Sequence, residues 1–510
     1  MKIMRLLGLL CVTLSFISSY SQEFCAPPRR EIRHSIATDG SQVEEYNAAQ
    51  RASGEYIMSE FPTMGTIKGV VILAAFSDVP FSVDTISTLL SKRFNADNYT
   101  EEIEFDEYSN AYRQNLSLKV TVPGSARDYF RDQSLGKFIP SFDIIGPVTL
   151  DHPRSYYGAN NSKGNDKNTS GMISDACQKA FDMGLTDFSD YDNNSDGIVD
   201  IVYIVYAGSD EAQGGSEECI WAKASRLSTP LNLGDVKISK FACSGELVVD
   251  LPVVAGIGTF VHEFSHVLGL PDFYNTKEEE EEDFTMDVWS VMDYGMYNAE
   301  GFVPCGYTSF ERYSLGWIPM HTLDASSAVE IGVTSEERKG YRIFTSESGT
   351  DTTSFYVIEN IVKEGWNRYA PANGLLISEV TYNATDWRNN TVNTGTYHRH
   401  CIVPANNDYN YKTANKHLFG NTNDEFTLTS TPASITQFGI AMDKPLNYIE
   451  YDDRTKTTTF LFRGGPVING CNEQIPSDDK ESAIYDLQGR PVKQPSRGLY
   501  IQNGKKYLAF

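Results

Sequence analysis

Two nearly uninterrupted apolar runs predict buried β-strands. Residues 70–76 read VVILAAF, and residues 198–206 read IVDIVYIVY before Gly208 stops the run. A strand with apolar side chains at successive positions has both faces covered, as in a parallel sheet flanked by helices. A helical pattern around residues 172–181 lies between the two runs. Strands mixed with helices over residues 65–320 predict one α/β (α+β) domain.

The pattern changes after the sequence WIP at residues 317–319. Short apolar strands now alternate with polar turns, for example at residues 354–358, 374–377 and 457–462. Short strands at such intervals are typical of β-sandwiches. We therefore predict a β-sandwich-like domain over residues 321–466. Residues 467–510 are predicted to form a polar linker and a short C-terminal hairpin module.

The N-terminus has the pattern of an export signal. Lys2 and Arg5 precede an apolar stretch at residues 6–17, which is too short to span a bilayer, and Ser19 and Ser21 are small residues before Gln22. We predict a signal peptide over residues 1–21, no further transmembrane segment, and a secreted or cell-surface protein. Residues 22–64 are polar without a strong period, as in a pro-segment or linker.

The cysteine count is compatible with export. Of the eight cysteines, Cys11 lies in the predicted signal peptide, which leaves an odd number in the mature chain. At least one thiol is then unpaired or intermolecular. Cys219 and Cys243 bracket a plausible disulfide loop.

The charge excludes some partners. The 510 residues carry a formal net charge of −25. Nucleic-acid binding without sequence preference needs a surface rich in Lys and Arg, so we predict no nucleic-acid partner. An acidic surface suits cations with oxygen ligands, such as calcium.

The motif that carries chemistry is HEFSHVLGLPD at residues 262–272. Residues four apart on a helix lie on the same face, so His262 and His266 can bind one ion, and Glu263 is placed to deprotonate a water there. Gly269 can end the helix, which brings Asp272 back as a third ligand. Three nitrogen or oxygen ligands with an open fourth position are typical of catalytic zinc, although another divalent ion could bind. The alternative is a pair of core histidines and a turn aspartate.

A second element, WSVMDYG at residues 289–295, follows the helix by about twenty residues. Extended zinc motifs are accompanied by a methionine-containing turn beneath the metal, and Met292 fits that position. Tyr294 could direct its phenol to the metal or to the oxyanion formed during attack. The alternative for Met292 is a plain core residue.

The sequence DNNSDGIVD at residues 192–200 predicts a calcium loop. Asp192, Asn194, Asp196 and Asp200 provide oxygen side chains at spacings that can surround one ion. Position 12 of an EF-hand would be Tyr203 instead of Glu, so we predict a single structural calcium loop before a strand. The alternative is a polar surface turn.

These motifs resemble the immune inhibitor A family of secreted bacterial zinc metallopeptidases, which has an Asp third ligand followed by a Met-turn. The resemblance covers about residues 65–465 and includes segments on both sides of the motif: residues 124–130, 134–137, 156–158, 306–307, 315–317, 356–360 and 374–377. It implies a zincin or metzincin-like catalytic domain, zinc-dependent endopeptidase activity and bound calcium. The tail from residue 483 is similar to C-terminal sorting modules of exported Bacteroidetes proteins, which implies export machinery as a partner. The acidic run at residues 278–283 departs from the family and is interpreted as a solvated loop.

The sequence therefore predicts a secreted zinc endopeptidase that cleaves extracellular proteins or peptides. The alternatives are a zinc hydrolase of another bond, and a secreted adhesin or glycan-binding protein with weak hydrolysis. If the protein is made as a latent zymogen, a thiolate of Cys25 could bind the metal and block it. The alternatives are that Cys25 forms a disulfide, or that an acidic residue of the pro-segment inhibits the enzyme. His398 and His400 alternate on a strand, so we predict no second metal there.

Overall fold

The computed structural model describes residues 24–25, 61–110, 113–162, 164–248, 253–277, 284–332, 340–346, 351–465 and short segments between 484 and 509. The predicted signal peptide, nearly all of the predicted pro-segment and the acidic run at 278–283 lie outside the described residues. None of the described helices is long and apolar enough to cross a bilayer.

A mixed sheet organises the first part of the chain. Its strands are β1 (Phe24–Cys25), β2 (Gly65–Ala75), β5 (Phe138–Thr149), β6 (Ile198–Val199), β7 (Val202–Ser209), β8 (Lys223–Leu233) and β9 (Val236–Leu247). The intervening strands β3 (Glu101–Asn110) and β4 (Arg113–Val122) form a separate hairpin. The sheet order is β1-β8-β9-β7-β2-β5, with β6 beside β9. Its centre, from β9 through β7 and β2 to β5, is parallel, whereas β8 and β1 are antiparallel.

The first apolar run and most of the second form strands buried on both faces, as predicted, in β2 and β7; Ile198, at the start of the second run, is exposed. In β2, Val71 and Leu73 belong to one core, and Val70 and Ile72 belong to the core on the opposite face. The second run is divided into β6 and β7 because the backbone N–H of Asp200 bonds to Tyr191 O, outside the sheet. The mixed α/β architecture is confirmed.

Helices cover both faces of this sheet. The α-helices of the chain are α1 (Ile86–Asn95), α2 (Ala126–Gln133), α3 (Arg154–Tyr157), α4 (Thr169–Asp182), α5 (Gly258–Val267), α6 (Ser309–Ser314) and α7 (Ala384–Arg388). Short 3-10 helices are Phe188–Tyr191, Asp287–Trp289, Tyr294–Gly301, Gly365–Asn367 and Tyr411–Lys416. The helix predicted around residues 172–181 is α4, which packs on the face opposite to α5.

Two further sheets follow residue 319. Their strands are β10 (Met320–Thr322), β11 (Ser327–Ile331), β12 (Gly340–Phe344), β13 (Ser354–Ile361), β14 (Gly374–Thr381), β15 (His400–Ile402), β16 (Glu425–Phe426), β17 (Leu446–Asp452) and β18 (Thr457–Phe462). The orders are β10-β12-β13-β14-β15 and β11-β18-β17-β16. Side chains from both sheets, such as Ile358 and Phe460, share one core. On the other face of the first sheet, Val357 and Ile402 join the core that contains α5.

The tail forms a small antiparallel sheet of β19 (Ile484–Tyr485), β20 (Pro491–Val492), β21 (Gly498–Gln502) and β22 (Lys505–Ala509). The strand order is β20-β19-β21-β22.

The disulfide between Cys219 and Cys243 is wrong. Cys219 and Cys243 are both buried, and both are free thiols. Cys243 lies within the core of the sheet, where burial raises the pKa of its thiol well above the ordinary value.

Candidate metal centre

Helix α5 presents two different faces. Phe260 and Phe264, one turn apart, pack in an aromatic core. The ring of Phe260 stacks on that of Phe94, with the ring centroids 4.2 Å apart. His262 and His266, also one turn apart, lie on the opposite side of the helix. Both imidazoles are buried. The aromatic face therefore anchors the helix and fixes the direction in which the imidazoles point.

The helix ends as the sequence predicted. Gly269 has φ +100°, its N–H bonds to His266 O, and the N–H of Leu270 bonds to Ser265 O. This pair of bonds is the Schellman arrangement, which requires a left-handed residue that glycine supplies at little cost. The chain then reverses and brings Asp272 to the two histidines.

Three ligand atoms meet in a nearly equilateral triangle. His262 Nε2 and His266 Nε2 are 3.2 Å apart, and each is 3.2 Å from Asp272 Oδ1. Among the described residues, this is the one group of three His, Cys, Asp or Glu side chains with ligand atoms within 4.8 Å of one another. Tetrahedral zinc with bonds near 2.0 Å separates its ligands by about 3.3 Å. The triangle therefore has the dimensions of a zinc site.

Backbone carbonyls fix the tautomer of each imidazole. His262 Nδ1 is 2.8 Å from Val291 O, and His266 Nδ1 is 2.8 Å from Leu270 O. A carbonyl oxygen can only accept, so each Nδ1 carries a hydrogen, and in the neutral ring each Nε2 then presents a lone pair. No side-chain pattern in the sequence marks these two carbonyls.

In neutral rings, each of the three atoms of the triangle presents a lone pair to its centre. Asp272 Oδ1 is buried and accepts no hydrogen bond from the described residues. Burial lowers the pKa of His266 and favours its neutral imidazole. Burial opposes ionisation of Asp272, but the two neighbouring imidazoles outweigh it and lower its pKa to about 2. A neutral imidazole and a carboxylate are the protonation states that a metal ion needs, so the residues fit a divalent cation.

The predicted Met-turn lies against the ligands. Met292 is fully buried, and its carbonyl accepts a hydrogen bond from Phe273 N, immediately after Asp272. Val291, one residue earlier, is the partner of His262. Asp293 secures the turn by accepting bonds from Thr285 Oγ1 and the N–H of Tyr294, and burial raises its pKa to about 6. The turn thus orients one ligand and packs against the segment that carries another.

Glu263 is fully buried beside His262. Burial raises the pKa of the Tyr203 phenol in β7, and the negative charge of Glu263 raises it further. The charge of Glu263 also acts on Cys243 in β9. The carboxylate therefore lies between α5 and the centre of the sheet. Tyr294 is partly exposed at the start of the 3-10 helix Tyr294–Gly301.

An additional contact to Asp272 comes from the C-terminal half of the chain. The Asn390 carboxamide accepts a bond from Asp272 N at 2.7 Å and donates one to Asp272 Oδ2 at 2.5 Å. Sequence analysis did not find Asn390, because no local pattern links residues 118 positions apart.

The predicted calcium loop is a tight turn. Asp192 accepts bonds from the N–H groups of Asp196 and Gly197, and Gly197 has φ +83°. Asn194 Nδ2 donates to Asp196 Oδ2, whereas Asp200 Oδ2 accepts from Asn193. Calcium binding by Asp192, Asn194, Asp196 and Asp200 stays a prediction.

His398 and His400 are both buried. His400 packs edge to face on Phe273 and Phe310, and its Nδ1 donates to Glu379 O. Burial lowers the pKa of His400 to about 4, so the ring is neutral and serves packing.

Comparison with known proteins gives a consistent result. The sequence profile of the immune inhibitor A peptidase M6 catalytic domain matches residues 58–317. The chain is 24% identical over 284 residues to the pre-pro-metalloprotease PrtV of Vibrio cholerae, which covers 49% of this chain and 30% of that protein. It is 25% identical over 270 residues to immune inhibitor A of Bacillus thuringiensis subsp. alesti, which covers 45% of this chain and 36% of that protein. The chain thus spans about a third of the length of these relatives.

Proposed function

Because the chain belongs to the immune inhibitor A family of M6 peptidases, we propose that it is a secreted zinc-dependent endopeptidase. His262, His266 and Asp272 would hold the zinc ion, and Glu263 would act as general base and acid. The observation that carries the proposal is the buried triangle of two imidazole nitrogens and one carboxylate oxygen, two of whose members lie on the helix that also bears Glu263. The family match also disfavours the adhesin alternative.

The mechanism follows from the groups around the triangle. A bound zinc ion would supply Lewis acidity, which makes water acidic and polarises a carbonyl group. Glu263 would remove a proton from water as its oxygen attacks the scissile carbonyl carbon. When the C–N bond breaks, Glu263 would return the proton to the leaving amine. Tyr294 is proposed to donate a hydrogen bond to the carbonyl oxygen as it gains charge.

Strand β8 is the proposed substrate-binding edge. Among the described residues, it pairs with β9 on one side and with the two-residue β1 on the other, through Phe24 with Ala224 and Cys25 with Lys223. The backbone of β1 also approaches α5. An extended peptide could add to β8 as an antiparallel strand and place a peptide bond beside the ligands of α5. Segment β1 would then compete with substrate, which supports a latent form.

The function is tested by incubating casein and gelatin with a zinc-loaded chain that begins at residue 61. We expect new peptide N-termini, which mass spectrometry would locate and from which cleavage preference would be read. The absence of new termini with both substrates would contradict the endopeptidase assignment.

The full chain provides the second arm of the same experiment. We expect the full chain to be at least about tenfold slower. A tenfold lower rate corresponds to a free-energy cost of about 1.4 kcal/mol for displacing β1 from the substrate-binding edge. Equal rates would exclude inhibition by β1. If full-length Cys25→Ser is as inactive as its parent, the thiol of Cys25 is not the switch.

We also propose the domain division stated from the sequence: a signal peptide (1–21), a pro-segment (22–64), a zincin or metzincin-like domain (65–320), a β-sandwich-like domain (321–466) and a sorting-like tail (467–510). The shared core of the two C-terminal sheets supports the β-sandwich. Secretion would be tested by sequencing the N-terminus of protein from culture medium. Protein found only inside cells would contradict it.

Calcium is proposed as a structural ion in the loop at residues 192–200. Ordering this loop would fix β6 and β7, which follow it directly. Binding at 100 times Kd stabilises a fold by about 2.7 kcal/mol, so saturating calcium should raise Tm by a few degrees. Asp196→Asn should remove that increase, and an equal increase in the variant would contradict the site.

A further inference from the structure

A segment of the C-terminal half, residues 387–400, packs on the turn that carries the third metal ligand; we call it the clamp segment. Trp387 Nε1 donates to Gly269 O at 3.1 Å, and the Trp387 ring packs on Phe273. Asn393 Nδ2 donates to Phe273 O at 2.7 Å. These bonds cover both ends of the turn from Gly269 to Phe273.

Asn390 lies at the centre of the clamp segment and contacts the ligand itself. Its side chain is buried, and its backbone has φ +53°, a left-handed conformation in which Asn is enriched. The carboxamide accepts from the backbone N–H of Asp272 and donates to Asp272 Oδ2. One side chain therefore fixes both the backbone and the carboxylate of the ligand.

This two-point contact distinguishes the two carboxylate oxygens of Asp272. Oδ2 is engaged by Asn390, whereas Oδ1 remains 3.2 Å from both imidazole Nε2 atoms. Hydrogen bonds behind a metal ligand hold its orientation, and their loss usually lowers metal affinity about 10–100-fold. A carboxamide suits this place because it donates to the carboxylate without adding a second negative charge.

We propose that Asn390 is a positioning residue of the metal centre, through which the C-terminal half completes the site held by α5. The inference rests on the proposed zinc site. It also places one determinant of metal affinity outside residues 58–317, which the family profile covers. Folding of the C-terminal half and assembly of the metal site are then coupled.

The test uses Asn390→Gly in the full chain. Glycine adopts the left-handed backbone readily, so the exchange removes the carboxamide without strain. Asn407→Gly is the matched control, because Asn407 also has a left-handed backbone (φ +52°) and is exposed in the same half of the chain. We expect Asn390→Gly to raise the Kd for zinc about 10–100-fold in competition with a chromophoric chelator, and Asn407→Gly to leave it unchanged.

Cobalt substitution separates positioning from stability. A loss of stability alone reduces the amount of bound Co²⁺ but leaves the visible spectrum per bound ion unchanged. We expect Asn390→Gly to change the intensity of the d–d bands, because the orientation of Asp272 is no longer fixed. A wild-type zinc Kd, or a wild-type spectrum per bound cobalt, would overturn the inference.

Asn390→Asp decides the question if the glycine variant does not fold. It keeps the shape and the acceptor for Asp272 N–H but places an oxygen against Asp272 Oδ2. Weaker zinc binding is expected, and a wild-type Kd would overturn the inference. Failure of the wild-type chain to bind zinc would instead refute the proposed function, so the two failures are distinguishable.

Discussion

Exchange of Glu263 for glutamine is expected to lower kcat/KM for peptide hydrolysis by about 10²–10⁴-fold, the usual contribution of a general base, while the protein keeps its zinc. Glutamine has nearly the same shape, but its carboxamide cannot accept the proton of the attacking water. The proposed metal ligands His262, His266 and Asp272 are left unchanged by the exchange. The measurement is the cleavage rate of a casein-derived peptide, with zinc content determined by plasma mass spectrometry on the same sample.

Glu379→Gln is the matched control for this experiment. Glu379 is also buried, in β14, and burial raises its pKa to about 7, so a neutral side chain is tolerated there. Its variant should retain the wild-type rate. Undiminished hydrolysis by Glu263→Gln would remove Glu263 from the mechanism, whereas loss of zinc from that variant would assign it a role in metal binding.

The second large effect is expected from Asp272→Asn, which should raise the Kd for zinc by more than about 100-fold and abolish hydrolysis. Loss of partners behind a ligand already costs about 10–100-fold, so loss of the charged ligand should cost more. Without metal, Asp272→Asn removes the interaction of the carboxylate with the two imidazoles that lowers the pKa of Asp272 to about 2. Metal-free Asp272→Asn should therefore be no more stable than the metal-free wild type.

Thermal unfolding with and without zinc measures both parts of this prediction. Zinc at 100 times Kd should stabilise the wild type by about 2.7 kcal/mol and the Asp272→Asn variant by much less. Asp235→Asn, in the exposed turn between β8 and β9, should respond as the wild type does. Equal stabilisation of wild type and Asp272→Asn by zinc would show that Asp272 is not a ligand.

The convergence of His262, His266 and Asp272 could be predicted because their geometry is local. The helical period places His262 over His266, and the glycine after the helix returns the chain within a few residues to Asp272. The apolar run in β2 was equally clear, because its successive residues alternate between the two cores. In each case the residues are close in sequence, and the period of the helix or strand determines which side chains share a face.

The parts of the site that were missed have two causes. Asn390 meets Asp272 across 118 residues, which no local pattern reveals. The carbonyls of Val291 and Leu270 belong to the backbone, which is the same whatever the side chain. The disulfide between Cys219 and Cys243 failed for a related reason. Loop length alone suggested the pair, whereas β9 places the thiol of Cys243 within the core.

The most direct test of the metal centre is anomalous X-ray scattering from crystals of the processed protein grown with zinc, measured on both sides of the zinc absorption edge. The account predicts one strong peak about 2.0–2.2 Å from His262 Nε2, His266 Nε2 and Asp272 Oδ1. Side chains that diverge, with no anomalous peak between them, would contradict it.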